Sequence, residues 1–350
     1  MLQKILQYLS YDIAIDLGTS QTLIYVKGRG IIAREPTVIA QHRKSKQIIA
    51  IGTQAKHMLG KTPESIRTIK PLRNGVISDY DAALTMMRYV MQRVDESLAP
   101  RRVSFKIMRP TVLINIPSYI TEVEKKAVVD ACLRVGARQV ALVENPMAAA
   151  YGAEMLVNEP LGSGIVVLGG GIIEMAIISL GGIVAGTTLK LGGDDFDQLI
   201  VSYIRQTYNV LIGDKTAEEI KIRVGSAMFV RNVEDTFPVR GRDLRSGLPK
   251  TIEIKSDDVA LALKSSLEEI SRTLSDLIDA APPEVMSDVL QNGIVLVGGS
   301  AQLRSLDAYL ENSLKIPVRV ADDPSTSVVR GAAHIIENPH IYEKVRSLHK

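Results

Sequence analysis

Three glycine-containing turns, each following a run of β-branched and other apolar residues, most constrain the fold of this chain. They lie at residues 16–20 (DLGTS), 169–171 (GGG) and 298–300 (GGS), after the runs DIAI, IVVL and IVLV. Glycine has no Cβ, so such a turn lets backbone N–H groups close on an anion. One such turn is a weak signal, because an ordinary hairpin turn has the same composition. Three of them, spread over both halves of the chain, indicate two lobes that clamp one phosphorylated ligand.

Length and composition exclude several classes of protein. A chain of 350 residues exceeds one comfortable hydrophobic core, so two domains are expected. The net charge is only +3, and no Lys/Arg block interleaved with aromatic residues occurs, so nucleic acid is not an expected partner. Cys132 is the single cysteine, which fits a reducing cytoplasm, and with five scattered histidines no structural zinc site is expected.

The stretch 162–189 is nearly uncharged and long enough to span a bilayer. Glu174 lies at its centre, and a carboxylate in mid-membrane costs about 2.5–3.5 kcal/mol. Glycines and paired β-branched runs fit two buried strands joined by a turn better than a membrane helix. No secretory signal is predicted over Met1–Ser10 either, because that stretch is too short and has no small-residue cleavage site.

Strand and helix patterns alternate along the chain, which is typical of an α/β fold. A hairpin is predicted over residues 12–26 and a strand over 111–116. The best-marked helix begins after Thr121, which forms a capping box with Glu124, and it ends at Gly136. Further helices are predicted at 194–207, 216–228, 257–280 and 301–313, and a β-excursion at 237–254.

Long segments of the sequence resemble one known family. They include DLGTSQTLIYVKGRGIIAREPTVIA, INIPSYITEVEKKAVVDACLRVGAR, ENPMAAAYGA, LGGDDFD, TAEEIKIRVGSA and GIVLVGGSAQLRSLDAYL. These segments are similar, in the same order, to the MreB (rod-shape-determining) bacterial actins, and the likeness covers essentially the whole chain. It is therefore far more specific than any single glycine motif.

The resemblance implies an α/β actin-like fold, which is a duplicated ribonuclease H-like fold. Two lobes would surround a nucleotide cleft, and each would have a large and a small subdomain. Lobe I would comprise residues 11–153 and 331–350, with its small subdomain at about 34–74. Lobe II would comprise residues 154–330, with its small subdomain at about 189–254.

The resemblance also implies ATP and Mg²⁺ as cofactors and filaments as the working form. Such filaments would lie at the inner face of the cytoplasmic membrane, determine cell shape and guide wall synthesis. Expected partners are further copies of the chain, the membrane surface, wall-synthesis membrane proteins and other bacterial actin paralogues. Two alternatives remain: a fully active ATPase of the same fold using Asp16, Glu144 and Glu174, and a non-polymerising or co-assembling degenerate paralogue that regulates another bacterial actin. The choice between ATP and GTP also stays open.

The resemblance places most nucleotide-binding residues in the three turns. Asp16 would hold hydrated Mg²⁺ through water, and the amides of Gly18 to Ser20 would face the phosphates. Glu218 and Lys221 lie three apart on one predicted helix, so both would reach the ribose and base edge. A solvated salt bridge within the helix is the alternative for that pair. The expected nucleotide-binding residues are Asp16, Gly18, Thr19, Ser20, Gly169, Gly170, Gly171, Glu218, Lys221, Gly298, Gly299 and Ser300.

Several positions depart from the family pattern. The family has a carboxylate where this chain has Val167, and two threonines where it has Ile172 and Ile173. A glutamate expected to orient the hydrolytic water is replaced by Asn145, which cannot accept the proton of that water. Glu144 is the alternative candidate for this water-orienting role. Adjacent residues in a strand point to opposite faces, however, so Glu144 and Asn145 would not face the same side.

A second cluster of departures lies in the third turn, where Val297 and Ser300 replace a threonine and a glycine.

The substitutions at Val167 and Asn145 remove both a metal-facing carboxylate and the water-orienting glutamate. Loss of both groups is not expected of random drift in a working ATPase. The sequence therefore predicts a bacterial actin that binds nucleotide and hydrolyses it slowly or not at all.

The first residues show the pattern of an interfacial helix. Leu2, Ile5, Leu6 and Leu9 would lie on one helical face, with Lys4 beside it. A segment of ten residues binds a membrane weakly, but a polymer that presents many copies gains avidity. The alternatives are a terminal helix packed on its own domain and a frayed end.

Overall fold

The computed structural model describes residues 11–98, 109–229 and 235–348. The predicted membrane tail at residues 1–10 lies outside the described residues. The chain divides into two compact units: unit 1 runs to Val157 and resumes at Thr326, and unit 2 is Asn158–Ser325. These limits differ by a few residues from the lobe boundaries placed at 153 and 330 by the sequence.

Strands and helices alternate through both units. The described strands are β1 (Ile13–Leu17), β2 (Gln21–Val26), β3 (Gly30–Pro36), β4 (Ile39–His42), β5 (Ile48–Ile51), β6 (Ile66–Ile69), β7 (Leu72–Arg73), β8 (Val76–Ile77), β9 (Thr111–Ile116), β10 (Gln139–Glu144), β11 (Ser163–Leu168), β12 (Ile173–Ser179), β13 (Gly182–Leu189), β14 (Val210–Leu211), β15 (Thr236–Asp243), β16 (Pro249–Lys255), β17 (Ile294–Val297) and β18 (Val318–Val320). The described α-helices are α1 (Thr53–Met58), α2 (Tyr80–Leu98), α3 (Glu122–Arg134), α4 (Asn145–Gly152), α5 (Gly193–Tyr208), α6 (Asp214–Val224), α7 (Ser256–Asp279), α8 (Pro283–Asn292), α9 (Leu306–Leu314), α10 (Ser327–Glu337) and α11 (Pro339–Leu348). A short 3₁₀ helix covers Gly299–Gln302.

Each unit is built on a five-stranded mixed sheet, and the two sheets share one topology. In unit 1 the strand order is β10-β9-β1-β2-β3, and in unit 2 it is β13-β12-β11-β17-β18. In both, three antiparallel strands come first in the chain, and two later strands add in parallel beside the first of them. The pairings therefore superpose β1 on β11, β2 on β12, β3 on β13, β9 on β17 and β10 on β18. This is a duplicated α/β fold, as the resemblance implies.

Smaller sheets accompany the two large ones. The sheet β5-β4-β6 falls within the stretch 34–74, and the sheet β14-β15-β16 falls largely within 189–254. Each unit also has its own hydrophobic core between sheet and helices. In unit 1 β1, β2 and β9 pack against α2 and α3, and in unit 2 β11, β12 and β17 pack against α5, α7 and α9.

Most predicted elements are confirmed, with three corrections. The capping box is present: Thr121 Oγ1 accepts from the Glu124 amide at 3.3 Å, and the Thr121 amide donates to Glu124 Oε2 at 2.9 Å. The helix predicted at 216–228 ends at Val224, because Gly225 caps it. The helix predicted at 301–313 is a 3₁₀ helix, Gly299–Gln302, followed by α9, and Ser305 between them has a positive φ of 57°. The stretch 162–189 forms three strands and not two, because Leu180 (φ 52°) and Gly181 (φ 73°) make a tight turn inside an uncharged run. None of the described helices has the length and apolar character needed to span a bilayer.

Candidate nucleotide-binding turns

The turn between β1 and β2 closes on itself through glycine. The Gly18 amide donates to the Gln21 carbonyl at 3.0 Å, and a Cβ at position 18 would lie 2.7 Å from that oxygen. Only glycine fits this close approach. The Gly18 amide is used inside the turn in this structure. That the amides of Gly18 to Ser20 face the phosphates stays a prediction.

Side chains and backbone of unit 1 hold this first turn in place. Thr19 is buried, and its Oγ1 accepts a hydrogen bond of 3.1 Å from the amide of Gly75, in the turn between β7 and β8. Thr37 Oγ1 donates to the Gly18 carbonyl at 2.8 Å, and the Thr37 amide donates to the Ser20 carbonyl at 3.0 Å. The turn is thus preorganised before any ligand arrives.

Asp16 lies near the end of β1, next to an asparagine on the neighbouring strand. Asn115 Nδ2 donates to Asp16 Oδ1 at 3.0 Å. Burial raises the pKa of Asp16 to about 7, and the hydrogen bond from Asn115 opposes that shift. Asn115 is itself 5% exposed, and its Oδ1 has no hydrogen-bond partner within the described residues. This end of the sheet therefore favours an incoming positive charge.

The two candidate catalytic residues lie at the end of β10. Val143 pairs with Asn115 and Glu144 pairs with Ile116, so alternation along the strand places Glu144 on the face opposite Asn115. Burial raises the pKa of Glu144, and the nearby Lys125 ammonium opposes the shift. Asn145 begins α4. No catalytic role for Glu144 or Asn145 follows from this arrangement.

The second turn, in unit 2, repeats the closure of the first. The Gly169 amide donates to the Ile172 carbonyl at 3.0 Å, and a Cβ at position 169 would lie 2.9 Å from that oxygen. The turn also lies against the N-terminus of α5, where the Gly193 amide donates to the Gly169 carbonyl at 3.0 Å and the Asp194 amide to the Gly170 carbonyl at 2.8 Å. A Cβ at Gly192 would lie 2.5 Å from the Gly170 oxygen, so this contact also needs glycine.

Val167, a buried apolar residue, stands where the resemblance implies a second carboxylate. Val167 is 6% exposed, and it pairs with Val297 on β17 and with Glu174 on β12. Ile172 and Ile173 are buried as well. The polar groups expected at the second turn are thus replaced by packed apolar side chains near the end of β11, the central strand of the sheet.

Lys221 on α6 contacts two residues of α5, and the N-terminus of α5 contacts the second turn. Its Nζ lies 2.7 Å from Asp197 Oδ1 and donates to the Gly193 carbonyl at 2.6 Å. These side chains are only 15% and 10% exposed, so the solvated helix salt bridge considered above does not describe Lys221. Burial raises the pKa of Asp197 to about 6, and Lys221 opposes that shift. That Lys221 and Glu218 contact the ribose or the base of a nucleotide stays a prediction.

The third turn meets the second. Ser300 Oγ donates to the Gly169 carbonyl at 3.2 Å, and a Cβ at Gly193 would lie 2.7 Å from Ser300 Oγ. Gly298 has φ 93° and would clash with the Leu168 carbonyl if it carried a Cβ, whereas a Cβ at Gly299 would meet nothing within 4 Å. Within unit 2, Ser300, Lys221 and the glycines of the second and third turns therefore lie close together.

Sequence reasoning missed three members of this cluster. Gly192, Gly193 and Asp197 all belong to the segment LGGDDFD, which contributed to the resemblance but was given no role. The available signal was an acidic residue one turn inside an amphipathic helix, on its apolar face.

Two duplicated sheets, each with a self-closing glycine turn after its first strand, define an actin-like fold. Solved structures agree with this class. A crystal structure of MreB5 of Spiroplasma citri bound to ADP matches with a TM-score of 0.88 and 34% identity over 97% of this chain and 99% of that chain. A MamK double helical filament matches with a TM-score of 0.78 and 22% identity, over 94% of this chain and 99% of that chain, which supports the fold alone.

Sequence comparisons show the family. Residues 10–344 match the family described as MreB/Mbl protein. The cell shape-determining protein MreB of Escherichia coli K12 is 42% identical over 344 residues, 96% of each chain. The cell shape-determining protein Mbl of Bacillus subtilis is 39% identical over 327 residues, 93% of this chain and 96% of the relative. The chain belongs to the MreB/Mbl family.

Proposed function

We propose that this protein is a cell shape-determining bacterial actin that assembles into ATP-bound filaments and hydrolyses ATP slowly or not at all. One observation carries the proposal. The duplicated sheets keep both self-closing glycine turns, yet unit 1 has Asp16 at the equivalent position where unit 2 has the buried Val167. The chain thus has the backbone turns expected of a phosphate site, but only one of the two carboxylates expected beside them.

We assign nucleotide contacts to each unit separately. In unit 1, Asp16 would hold hydrated Mg²⁺ through water, and backbone groups at Thr19 and Ser20 would meet phosphates. In unit 2, backbone groups at Gly299 would meet phosphates. Bound ATP supplies the negative phosphates and Mg²⁺ supplies the charge that neutralises them. Relatives solved with ADP and with AMPPNP support this assignment.

Slow hydrolysis is the second part of the proposal. An attacking water needs a group that orients it and accepts its proton. Asn145 stands at the position of the glutamate that the family uses, and its amide is not a base. The strand register places Glu144 on the face of the sheet opposite Asn115, so it does not replace that glutamate. With Val167 in place of a carboxylate, the phosphate end of the nucleotide also loses one metal-facing group.

Location and partners extend the proposal. We place the filaments at the inner face of the cytoplasmic membrane, where they meet wall-synthesis membrane proteins. Leu2, Ile5, Leu6 and Leu9 would anchor each subunit, and repetition along the filament would add avidity. The family names MreB and Mbl, both cell shape-determining, support the shape role.

Sedimentation of the full-length protein tests the proposal. The protein is incubated without nucleotide, with Mg-ATP and with Mg-AMPPNP, which resists hydrolysis. If filaments form by nucleotide binding alone, both nucleotides bring the protein into the pellet to the same extent. A protein that stays in the supernatant in all three tubes would instead favour the paralogue that co-assembles with another bacterial actin.

A further inference from the structure

We propose that Asn115 is the second oxygen donor of the Mg²⁺ site, in place of the carboxylate that is missing at position 167. The site would then lie entirely in unit 1, on Asp16 and Asn115. The inference rests on the nucleotide-binding function proposed above and specifies how its metal is held.

The strand register supports a comparison between the two units. Asn115 lies one residue beyond the Ile15–Ile114 pair of β1 and β9, and it donates to Asp16. The equivalent pair in unit 2 joins Val167 to Val297 across β11 and β17. Unit 1 therefore carries a polar pair where unit 2 carries an apolar pair, at the same place in the same sheet.

The two departures from the family pattern in unit 2 are hence one structural change. A carboxylate at 167 and a threonine at 297 would be neighbours on adjacent strands, and both are valine here. Val167 is 6% exposed and Val297 is fully buried, so the pair packs as hydrophobic core. If Mg²⁺ is still bound, the oxygen ligand lost from the ends of β11 and β17 must be supplied by another residue.

Asn115 has the atom that such a role requires. Its Nδ2 is used by Asp16, while its Oδ1 is buried and has no hydrogen-bond partner within the described residues. A buried carbonyl oxygen without a partner is destabilising and uncommon in folded proteins, so it points to a ligand or ion in that space. Amide oxygens are hard ligands that suit Mg²⁺ or its bound waters.

Two protein oxygens are enough for a Mg²⁺ site that also uses substrate oxygens. Mg²⁺ is commonly held by one or two protein oxygens together with waters and substrate phosphates. Asp16 and Asn115 satisfy that minimum.

The test measures how much Mg²⁺ increases the affinity for ATP in full-length variants. ATP affinity is measured by fluorescent-nucleotide displacement, once with Mg²⁺ and once with a chelator. The ratio of the affinity with Mg²⁺ to the affinity with chelator is called the coupling. Asn115→Val reproduces the apolar pair of unit 2, and Asn115→Thr has the same shape but keeps an oxygen. We expect Asn115→Val to lower the coupling about tenfold with unchanged affinity in chelator, and Asn115→Thr to retain most of it.

A change of opposite sign comes from Asn115→Asp, which adds a charged oxygen and removes the donor. We expect this variant to bind Mn²⁺, followed by electron paramagnetic resonance, several-fold more tightly than the wild type. It also keeps the test decisive if Asn115→Val does not fold. Equal coupling in the wild type and Asn115→Val, or Mn²⁺ binding not tightened by Asn115→Asp, would overturn the inference while leaving ATP binding intact. A wild type that binds no ATP with or without Mg²⁺ would overturn the proposed function itself.

Discussion

Replacing Lys221 with methionine removes the cation that lies against Asp197 inside unit 2. Lys221 Nζ is 2.7 Å from Asp197 Oδ1, and the two side chains are 15% and 10% exposed. Methionine has a similar unbranched stem, so the variant changes charge more than packing. It leaves a buried carboxylate without its counter-ion beside the second glycine turn.

The expected loss is large because the pair is shielded from solvent. Removing one partner of a buried ion pair costs about 3–5 kcal/mol, and we expect about 3 kcal/mol near pH 8, since both side chains keep slight exposure. Burial already raises the pKa of Asp197 from 3.8 to about 6. A carboxyl with a raised pKa stabilises the fold fully below its unfolded pKa, and that stability is lost as the pH rises through the folded pKa. Lys221→Met raises this pKa further, so its cost should be small near pH 5 and full near pH 8.

Urea unfolding at several pH values measures this effect, with the double variant Asp197→Asn/Lys221→Met as the matched control. The double variant should recover most of the loss near pH 8, because it buries no charge. A penalty for Lys221→Met that is the same near pH 5 and pH 8, or a double variant as unstable as the single one, would show that the cost does not come from an unpaired Asp197 carboxylate.

Three further predictions follow from other parts of the chain. Gly18→Ala should cost about 1–3 kcal/mol, because its Cβ would lie 2.7 Å from the Gln21 oxygen, whereas Gly182→Ala, whose Cβ meets nothing within 4 Å, should be nearly neutral in the same unfolding assay. Burial raises the pKa of Cys132 to about 12, so near pH 7 iodoacetamide should alkylate the native thiol about a thousandfold more slowly than the urea-unfolded one, and equal rates would contradict its burial. Val167→Asp combined with Asn145→Glu should raise phosphate release, and a rate equal to that of the wild type would count against the account of slow hydrolysis.

Regular elements were predictable where local signals agree. Thr121 and Glu124 fixed the start of α3 because capping is a contact between residues three apart. The break between β12 and β13 was hidden, since Leu180 adopts a left-handed conformation that apolar residues seldom take. The duplication was implied by the family resemblance, but the pairing of Val167 with Val297 was not, because it joins residues 130 positions apart.

The candidate site divides in the same way. Glycines of the three turns stand out in the sequence, because a turn after an apolar run is a local pattern. Asn115 carried no such signal: its importance comes from Asp16 on a strand far away in the chain. Lys221 was identified on its own helix, whereas its partner Asp197 is contributed by another helix. Sequence reasoning therefore found the turns and missed the contacts that tie them together.

Under the proposed function, ATP binding drives assembly, and hydrolysis lags behind it. Light scattering and phosphate release are recorded together in one sample after addition of Mg-ATP to test this. We predict that scattering reaches its plateau before a substantial fraction of the bound ATP has released phosphate. Phosphate release that keeps pace with scattering would contradict the account, because it would require a working water-activating group at this site.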